Sequence, residues 1–307
     1  MILNNIFYTI KPLIPRRLQI FLRRQVVRYK LKKNSHIWPI DPNAGTPPKG
    51  WRGWPDNKRF ALVLSHDVDT QKGHDECYQL MEVEEKIGFR SSFNFVPERY
   101  KVSKTLLKDI SKRGFQVCVH GLKHDGKLFS SRRIFNRRSV RINQYIKDWG
   151  VEGFTTPSML RNPEWLYELD VKHCTSTFDT DPFEPQPYGI GTIFPFYMKD
   201  KTSGKGFVEL PYTLPQDFTL FILMKEQTID IWEKKLDWVA KKGGMALLNT
   251  HSDYMGFNGR KLGTEEYPVE YYIEFLKFIK AKYEGDYYHG LPIEIARFWK
   301  ENMVNTH

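Results

Sequence analysis

Short apolar runs alternate with amphipathic helical patterns along most of the chain beyond residue 59. The apolar runs predict strands at residues 60–65, 91–96, 115–120, 152–156, 171–178, 207–212 and 245–251. Apolar residues at helical spacing predict helices at residues 75–87, 104–113, 133–149, 163–169, 229–242 and 269–283. This alternation is typical of a parallel sheet with helical crossovers. About seven such units favour an α/β fold, a distorted (β/α) barrel of about seven parallel strands in residues 58–307.

Residues 1–57 follow a different pattern. Pro12 and Pro15 suit the start of a helix, and apolar residues at helical spacing continue it. These residues are Ile14, Leu18, Phe21, Leu22, Val26 and Tyr29, with arginines between them. Residues 38–56 are rich in proline, glycine and tryptophan, which predicts an extended linker. We therefore expect a basic amphipathic helix and a linker in residues 1–57, followed by one barrel domain.

The positive charge of the chain is concentrated in its first 33 residues. Of the 47 Lys and Arg residues, nine lie in this segment, which contains no Asp or Glu. The rest of the chain has 47 − 9 = 38 basic against 36 acidic residues, a balance of +2. A nucleic-acid-binding protein is expected to spread basic residues over its binding face. The nearly neutral body therefore argues against nucleic acid as a partner.

The basic helix allows two interpretations. It can rest on an anionic membrane surface through residues 15–33, or it can pack on the barrel with its arginines in solvent. The longest apolar run in the segment is three residues, which predicts neither a signal peptide nor a membrane span. Three cysteines, an odd number without metal-ligand spacing, fit a reducing compartment. We expect a cytoplasmic protein with peripheral contact to the inner membrane.

Polar residues follow nearly every predicted strand, where barrel enzymes keep their chemistry. These residues are Asp67 and Asp69, His120 and His124, Thr155, Pro157 and Ser158, Asp179 and Asp181, and His251 and Asp253. Two histidines four residues apart, together with a carboxylate from another strand, can hold Zn²⁺ with one position open. His251 would complete an acid/base pair opposite Asp67.

Five segments at these positions carry a family resemblance. The segments are SHDVD, HGLKH, FTTPS, FDTDPF and LLNTH. In order and spacing they resemble the five motifs of the polysaccharide deacetylases, the NodB-homology carbohydrate esterases, over residues 59–254. The resemblance implies a distorted (β/α) barrel, a divalent metal that is most simply Zn²⁺, and removal of N- or O-acyl groups from sugars.

The resemblance also implies roles for individual residues. Asp69, His120 and His124 match the metal ligands, and Asp67 matches the general base. His251 matches the general acid. Asp179, or failing that Asp181, would orient it, and the backbone N–H of Ser158 matches the oxyanion donor. Thr155, Pro157, Arg161 and Asp181 are expected to contact the substrate.

Two departures from the family pattern leave alternatives open. Val68 separates two aspartates that are usually adjacent, and Thr155 replaces the arginine that usually begins the third motif. Arg161, six residues further on, could occupy that space. An acylated sugar, as a polymer or as a lipid- or nucleotide-linked precursor, is the first substrate class. The alternatives are a hydrolase of a non-sugar amide and a catalytically silent carbohydrate-binding barrel.

Overall fold

The computed structural model describes residues 14–304. Its helices are α1 (Arg16–Asn34), α2 (Gln71–Ile87), α3 (Lys104–Lys112), α4 (Arg132–Trp149), α5 (Pro163–Leu166), α6 (Asp230–Lys242), α7 (Val269–Tyr283) and α8 (Pro292–Trp299). A π-helix spans Phe218–Met224. The strands are β1 (Phe60–Val68), β2 (Ser92–Phe95), β3 (Gln116–His120), β4 (Gly153–Thr155), β5 (His173–Cys174), β6 (Phe196–Lys199), β7 (Gly206–Glu209), β8 (Met245–His251), β9 (Met255–Gly256), β10 (Tyr267–Pro268) and β11 (Tyr287–His289).

Nine of these strands form one curled sheet. Both β8 and β11 pair with β1, and the order then continues from β1 through β2, β3, β4, β5 and β7 to β6. Every pairing in it is parallel except the one between β6 and β7. The backbone N–H of Thr213, beyond β7, donates to the carbonyl of Leu247 in β8 at 3.0 Å. This contact joins the two ends of the sheet, and the predicted distorted (β/α) barrel is confirmed.

Strand β1 lies at the centre of the fold. All nine of its residues are buried, because β8 covers one edge while β11 and then β2 cover the other. β1 therefore reads as an almost continuous apolar run, as parallel strands that are buried on both faces do. Asp67 is paired with His251 of β8 on one side and with Asn94 of β2 on the other. The register thus places three polar residues in one row at the carboxyl end of the sheet.

The predicted strands differ from the observed ones mainly in the second half of the sheet. Only two residues of the predicted strand 171–178 form β5, and most of the rest is irregular backbone. This sheet also contains two strands that the apolar pattern did not indicate, β6 and β11, and β9 and β10 form a separate small sheet that was not predicted either. β6 is a partly exposed edge strand and β11 has only three residues, so neither has the long buried run of β1 or β8.

Helix α1 packs over the carboxyl end of the barrel, using a face that differs from the predicted one. Ile20 and Val27 are buried, and the Arg24 side chain donates to the carbonyl of Ile222 in the π-helix at 3.0 Å. The side chains of the predicted apolar stripe lie instead on the outside, with Leu18, Phe21, Leu22, Val26 and Tyr29 between 46% and 69% exposed. None of the helices in residues 14–304 combines the length and the apolar character needed to cross a bilayer.

Candidate active site

Three predicted ligands come together at the carboxyl ends of β1 and β3. One ligand atom each from Asp69, His120 and His124 lie within 4.8 Å of one another. The Nε2 atoms of His124 and His120 lie 3.1 and 3.4 Å from Oδ1 of Asp69. That oxygen is buried and accepts no hydrogen bond. A buried carboxylate oxygen without a donor is costly, and a divalent cation between it and the two imidazoles would satisfy it.

Hydrogen bonds outside this cluster orient its members. Nδ1 of His120 donates to the carbonyl of Thr155 at 3.2 Å, which leaves the Nε2 lone pair directed at Asp69. The carboxylate of Asp253 accepts from the Asp69 backbone N–H at 2.8 Å and from the Thr70 hydroxyl. The three donor atoms therefore fit a divalent metal, and hydrogen bonds to neighbouring residues hold His120 and Asp69 in place for it.

The two histidines of the cluster lower the pKa of Asp69. Burial raises the pKa of Asp69, but His124 and His120 act in the opposite direction. The net pKa of this carboxyl lies well below its usual range. Asp69 is therefore an ionised ligand at neutral pH.

Asp67 lies beside the cluster and is held by two amides. Asn94 of β2 donates to its Oδ1 at 2.8 Å, and Asn249 of β8 donates to its Oδ2 at 2.9 Å. Oδ2 lies 3.7 Å from Nε2 of His120 and 3.9 Å from Nε2 of His251. The carboxylate thus stands between the predicted metal ligands and the predicted acid, as a base for an attacking water must.

The acid that orients His251 is Asp217. Nδ1 of His251 donates to its Oδ1 at 2.8 Å, and the His251 backbone N–H donates to its Oδ2 at 2.8 Å. The Tyr267 hydroxyl donates to Oδ2 at 3.1 Å. Burial lowers the pKa of His251, but the fully buried Asp217 carboxylate outweighs burial and raises this pKa to about 10. His251 is accordingly an imidazolium at neutral pH, with its Nε2 proton available.

The expectation that Asp179 or Asp181 orients His251 was wrong. Asp179 is buried in an ion pair with Lys235, whose Nζ lies 2.5 Å from its Oδ2. Asp181 accepts from the Tyr212 hydroxyl at 3.0 Å. Burial raises the pKa of each carboxyl to about 6. The carboxylates of Asp179 and Asp181 therefore bond to other residues, and Asp217 is the carboxylate that orients His251.

The side chains of the third motif do not contact Asp67. Thr155 is buried and its hydroxyl pairs with the hydroxyl of Thr175 at 2.5 Å, so it does not take the place of an arginine at Asp67. The Arg161 guanidinium donates to the carbonyls of Met159 and Tyr188, so it does not fill that place either. The two asparagines hold Asp67 instead.

Ser158 lines the site in a left-handed backbone conformation, with φ 54°. It follows Pro157, which packs against Gly121 of the HGLKH segment. A Cβ atom at Gly121, whose φ is +59°, would lie 2.4 Å from Cγ of Pro157. Only glycine allows this approach, and glycine adopts this φ without strain, so the histidine segment and the Ser158 turn are fitted to each other.

A cavity of about 1130 Å³ lies above these residues. Its floor holds Asp67, Asp69, His120, His124 and His251. Its roof is formed by α1 and the π-helix. Ser158, the predicted oxyanion donor, lines this cavity. The four residues predicted to contact the substrate are not among the residues that line it. Two of them, Arg161 and Asp181, bond to protein groups.

The sequence prediction missed Asp217, Asn94 and Asn249. Asn249 precedes His251 by two residues on one strand and therefore shares its face, which was a usable signal. Asn94 becomes visible only through the register of β2 against β1. Asp217 lies in the segment between β7 and the π-helix, outside all five motifs.

By sequence, the chain matches no protein-family model, and the comparison with curated proteins gave no match. Solved structures do match. A protein from Mycobacterium smegmatis assigned as a polysaccharide deacetylase has a TM-score of 0.62 at 16% identity, over 83% of this chain and 95% of its own. Another so assigned, from Pseudomonas aeruginosa PAO1, has a TM-score of 0.63 at 12% identity, over 84% and 95%. PuuE allantoinase has a TM-score of 0.63 at 13% identity, over 87% and 98%.

These likenesses define the class of fold to which the chain belongs. It has the (β/α) barrel of the polysaccharide deacetylases, and an allantoinase shares that barrel.

Proposed function

We propose that the chain is a metal-dependent hydrolase that removes an acyl group, most simply acetyl, from an amino sugar or sugar. The observation that carries this is the convergence of a three-ligand cluster, an amide-held carboxylate and a carboxylate-held imidazole on the floor of one cavity. The likeness in fold to deacetylases supports the acylated sugar as the substrate class.

The residues of the floor divide the chemistry among them. A divalent ion held by Asp69, His120 and His124, most simply Zn²⁺, would polarise the acyl carbonyl and lower the pKa of the attacking water. Asp67 accepts the proton of that water, and its two asparagine bonds fix the direction of its free lone pairs. His251 then donates its Nε2 proton to the departing nitrogen or oxygen, while Asp217 stabilises the imidazolium. The backbone N–H of Ser158 is the proposed donor to the developing oxyanion.

A non-sugar amide is the second candidate substrate. The same groups would cleave any amide that reaches the floor, and the likeness to an allantoinase favours this reading. Acetate release from N-acetylglucosamine oligomers, measured beside hydrolysis of a cyclic ureide, tests the two candidates. Acetate release alone supports the sugar, and ureide hydrolysis alone would replace it. Hydrolysis of neither substrate by the metal-loaded protein, together with binding of the N-acetylglucosamine oligomers, would indicate a silent carbohydrate-binding barrel.

We also propose that the protein is cytoplasmic and that α1 makes peripheral contact with an anionic membrane. The exposed side of α1 combines Leu18, Phe21 and Tyr29 with Arg17 and Arg28. Each basic residue near such a surface contributes about 1 kcal/mol. Co-sedimentation should require vesicles that contain phosphatidylglycerol and should weaken with salt. Phe21→Ser should reduce it, whereas Val140→Ser, at a residue 70% exposed on α4, should not.

A further inference from the structure

We propose that the substrate is an amphiphile whose acylated polar head group occupies the cavity floor and whose hydrocarbon chain leaves the cavity beside α1. The acylated head group rests on the function proposed above, and the hydrocarbon chain selects the lipid-linked form among the substrates that the sequence left open. The inference comes from one juxtaposition: apolar side chains of α1 and the π-helix line the cavity above the catalytic floor, and further apolar side chains of α1 are exposed at the edge of that cavity.

The cavity changes character between its floor and its roof. The floor holds ionisable side chains. The roof includes an apolar wall, in which Ile20, Val27, Phe218 and Leu223 line the cavity from α1 and the π-helix, beside basic side chains of α1 such as Arg23 and Lys30. These four apolar side chains are 1% to 7% exposed, so their positions are fixed by packing. Such a wall gains nothing from a hydrated sugar chain, but it would bury methylene groups well.

The apolar wall reaches the exterior through two residues of α1. Leu22 and Val26 both line the cavity, yet they are 48% and 52% exposed. Beside them on the outer face of α1 lie Leu18, Phe21 and Tyr29, which are 46%, 55% and 69% exposed. Apolar side chains of α1 therefore lie both in the cavity and at its edge, where they meet solvent. Exposed apolar patches mark binding sites.

The size of the cavity agrees with a ligand larger than one sugar. Pockets for small ligands usually measure roughly 300 to 1,000 Å³, and this one measures about 1130 Å³. A single acylated sugar over the floor would leave the roof unused. A hydrocarbon chain attached to that sugar would occupy it.

The charge around the outer face of α1 fits an anionic lipid surface as the source of this amphiphile. Arg17, Arg28, Lys32 and Lys33 are exposed on α1, and no acidic residue occurs in the first 33 positions. Among the basic residues that line the cavity, Arg16 pairs with Glu265 and Lys72 with Glu266. The basic residues that face solvent are therefore those available to a surface outside the protein.

Binding to two glycosides with the same head group tests the proposal. Isothermal titration of the full-length, metal-loaded protein would compare octyl and methyl glycosides of N-acetylglucosamine, with the octyl compound below its micelle concentration. Each buried methylene group raises affinity about fourfold, so three of them should make the octyl glycoside bind about 50-fold more tightly. A Leu22→Ser, Val26→Ser double variant should lose most of that preference and keep its affinity for the methyl glycoside. Val140→Ser should change neither.

Equal affinity for the two glycosides would overturn the proposal, as would an octyl preference that the double variant leaves intact. Acetate release from the methyl glycoside reports separately on the proposed function. Release without a chain preference would remove the amphiphile and leave the deacylase. A chain preference without release from either glycoside would support the apolar wall as the site of the hydrocarbon chain and contradict the deacylase.

Discussion

Nδ1 of His251 lies 2.8 Å from a carboxylate oxygen of Asp217, a residue 34 positions earlier in the chain. Asp217 is fully buried and holds both the ring and the backbone of His251. His251 belongs to the fifth sequence motif, whereas Asp217 lies outside all five. Asp217 also fixes which nitrogen of His251 faces Asp67.

Replacing Asp217 by Asn should cost about 10² to 10⁴ in kcat while the protein keeps its metal. The amide keeps the shape of the side chain but removes the charge that stabilises the imidazolium and the acceptor that fixes its tautomer. Steady-state rates and elemental analysis on the same preparation would check this. An Asp217→Asn variant with the wild-type rate would show that His251 does not need a carboxylate partner.

Asp179→Asn is the matched comparison, because the sequence pattern pointed to that residue first. This change leaves the Lys235 ammonium buried without its counter-ion, which should cost about 3 to 5 kcal/mol of unfolding free energy. The rate of the molecules that remain folded should be unaffected. A lower kcat with an unchanged unfolding free energy would show that Asp179 contributes to catalysis.

Asn94→Leu and Asn249→Leu should each lower kcat by about 10- to 100-fold with metal retained. Each change removes one amide donor from Asp67 and keeps the branched shape of the side chain, and small displacements of a reacting group are costly. Asn136→Leu, on the exposed surface of α4, is the control. Unchanged kcat in both buried variants would mean that the two amides do not position the base.

Thr155→Arg should destabilise the protein and should not raise its activity. The Thr155 side chain is 2% exposed and bonded to Thr175, so a guanidinium there has neither room nor a path to Asp67. Thr155→Val, which loses only the hydroxyl, should keep the metal because the carbonyl that accepts from His120 remains. A faster Thr155→Arg enzyme would show that an arginine can still serve Asp67 from this position.

The unfolding free energy should fall as the pH rises through the range in which Glu209 titrates. Burial raises the pKa of this carboxyl to about 7, against about 4.3 in an unfolded chain. The folded state therefore binds the extra proton, and its stabilisation is complete below about pH 4 and lost by about pH 7.

The Glu209→Gln variant resembles the protonated form. Its unfolding free energy should exceed that of the wild type by about 2 to 4 kcal/mol at pH 8 and by little at pH 5. Denaturant unfolding at the two pH values would measure this, with the exposed Glu82→Gln as control. An equal difference at both pH values would contradict a raised pKa.

The sequence predicts the first half of the barrel closely because β1 and β3 are apolar runs that end in motif residues. β8 was predicted residue for residue, as Met245–His251. The later strands are harder to predict, since β5 keeps two residues and β6 runs antiparallel at an edge. Their positions are set by pairing with neighbours rather than by a local pattern.

The site follows the same division. Asp69, His120 and His124 are recognisable because their spacing is local, and the structure brings them together. Asp217 and Asn94 act only through contacts across the sheet or from a loop, which no short pattern records. For α1, the stripe of apolar residues was visible in the sequence. Whether it faces the barrel or solvent depended on Ile20 and Val27, which are buried in its place.

Metal content and acetate release, measured together on the wild type and two variants, test the central claim most directly. The wild type should carry one divalent ion per chain and release acetate from an acetylated amino sugar. A His120→Ala, His124→Ala double variant should lose both properties, since two of three ligands are gone, whereas the exposed His36→Ala should lose neither. Asp67→Asn should keep the metal and lose about 10² to 10⁴ in rate. Stoichiometric metal in the double variant, or full activity in Asp67→Asn, would contradict the account.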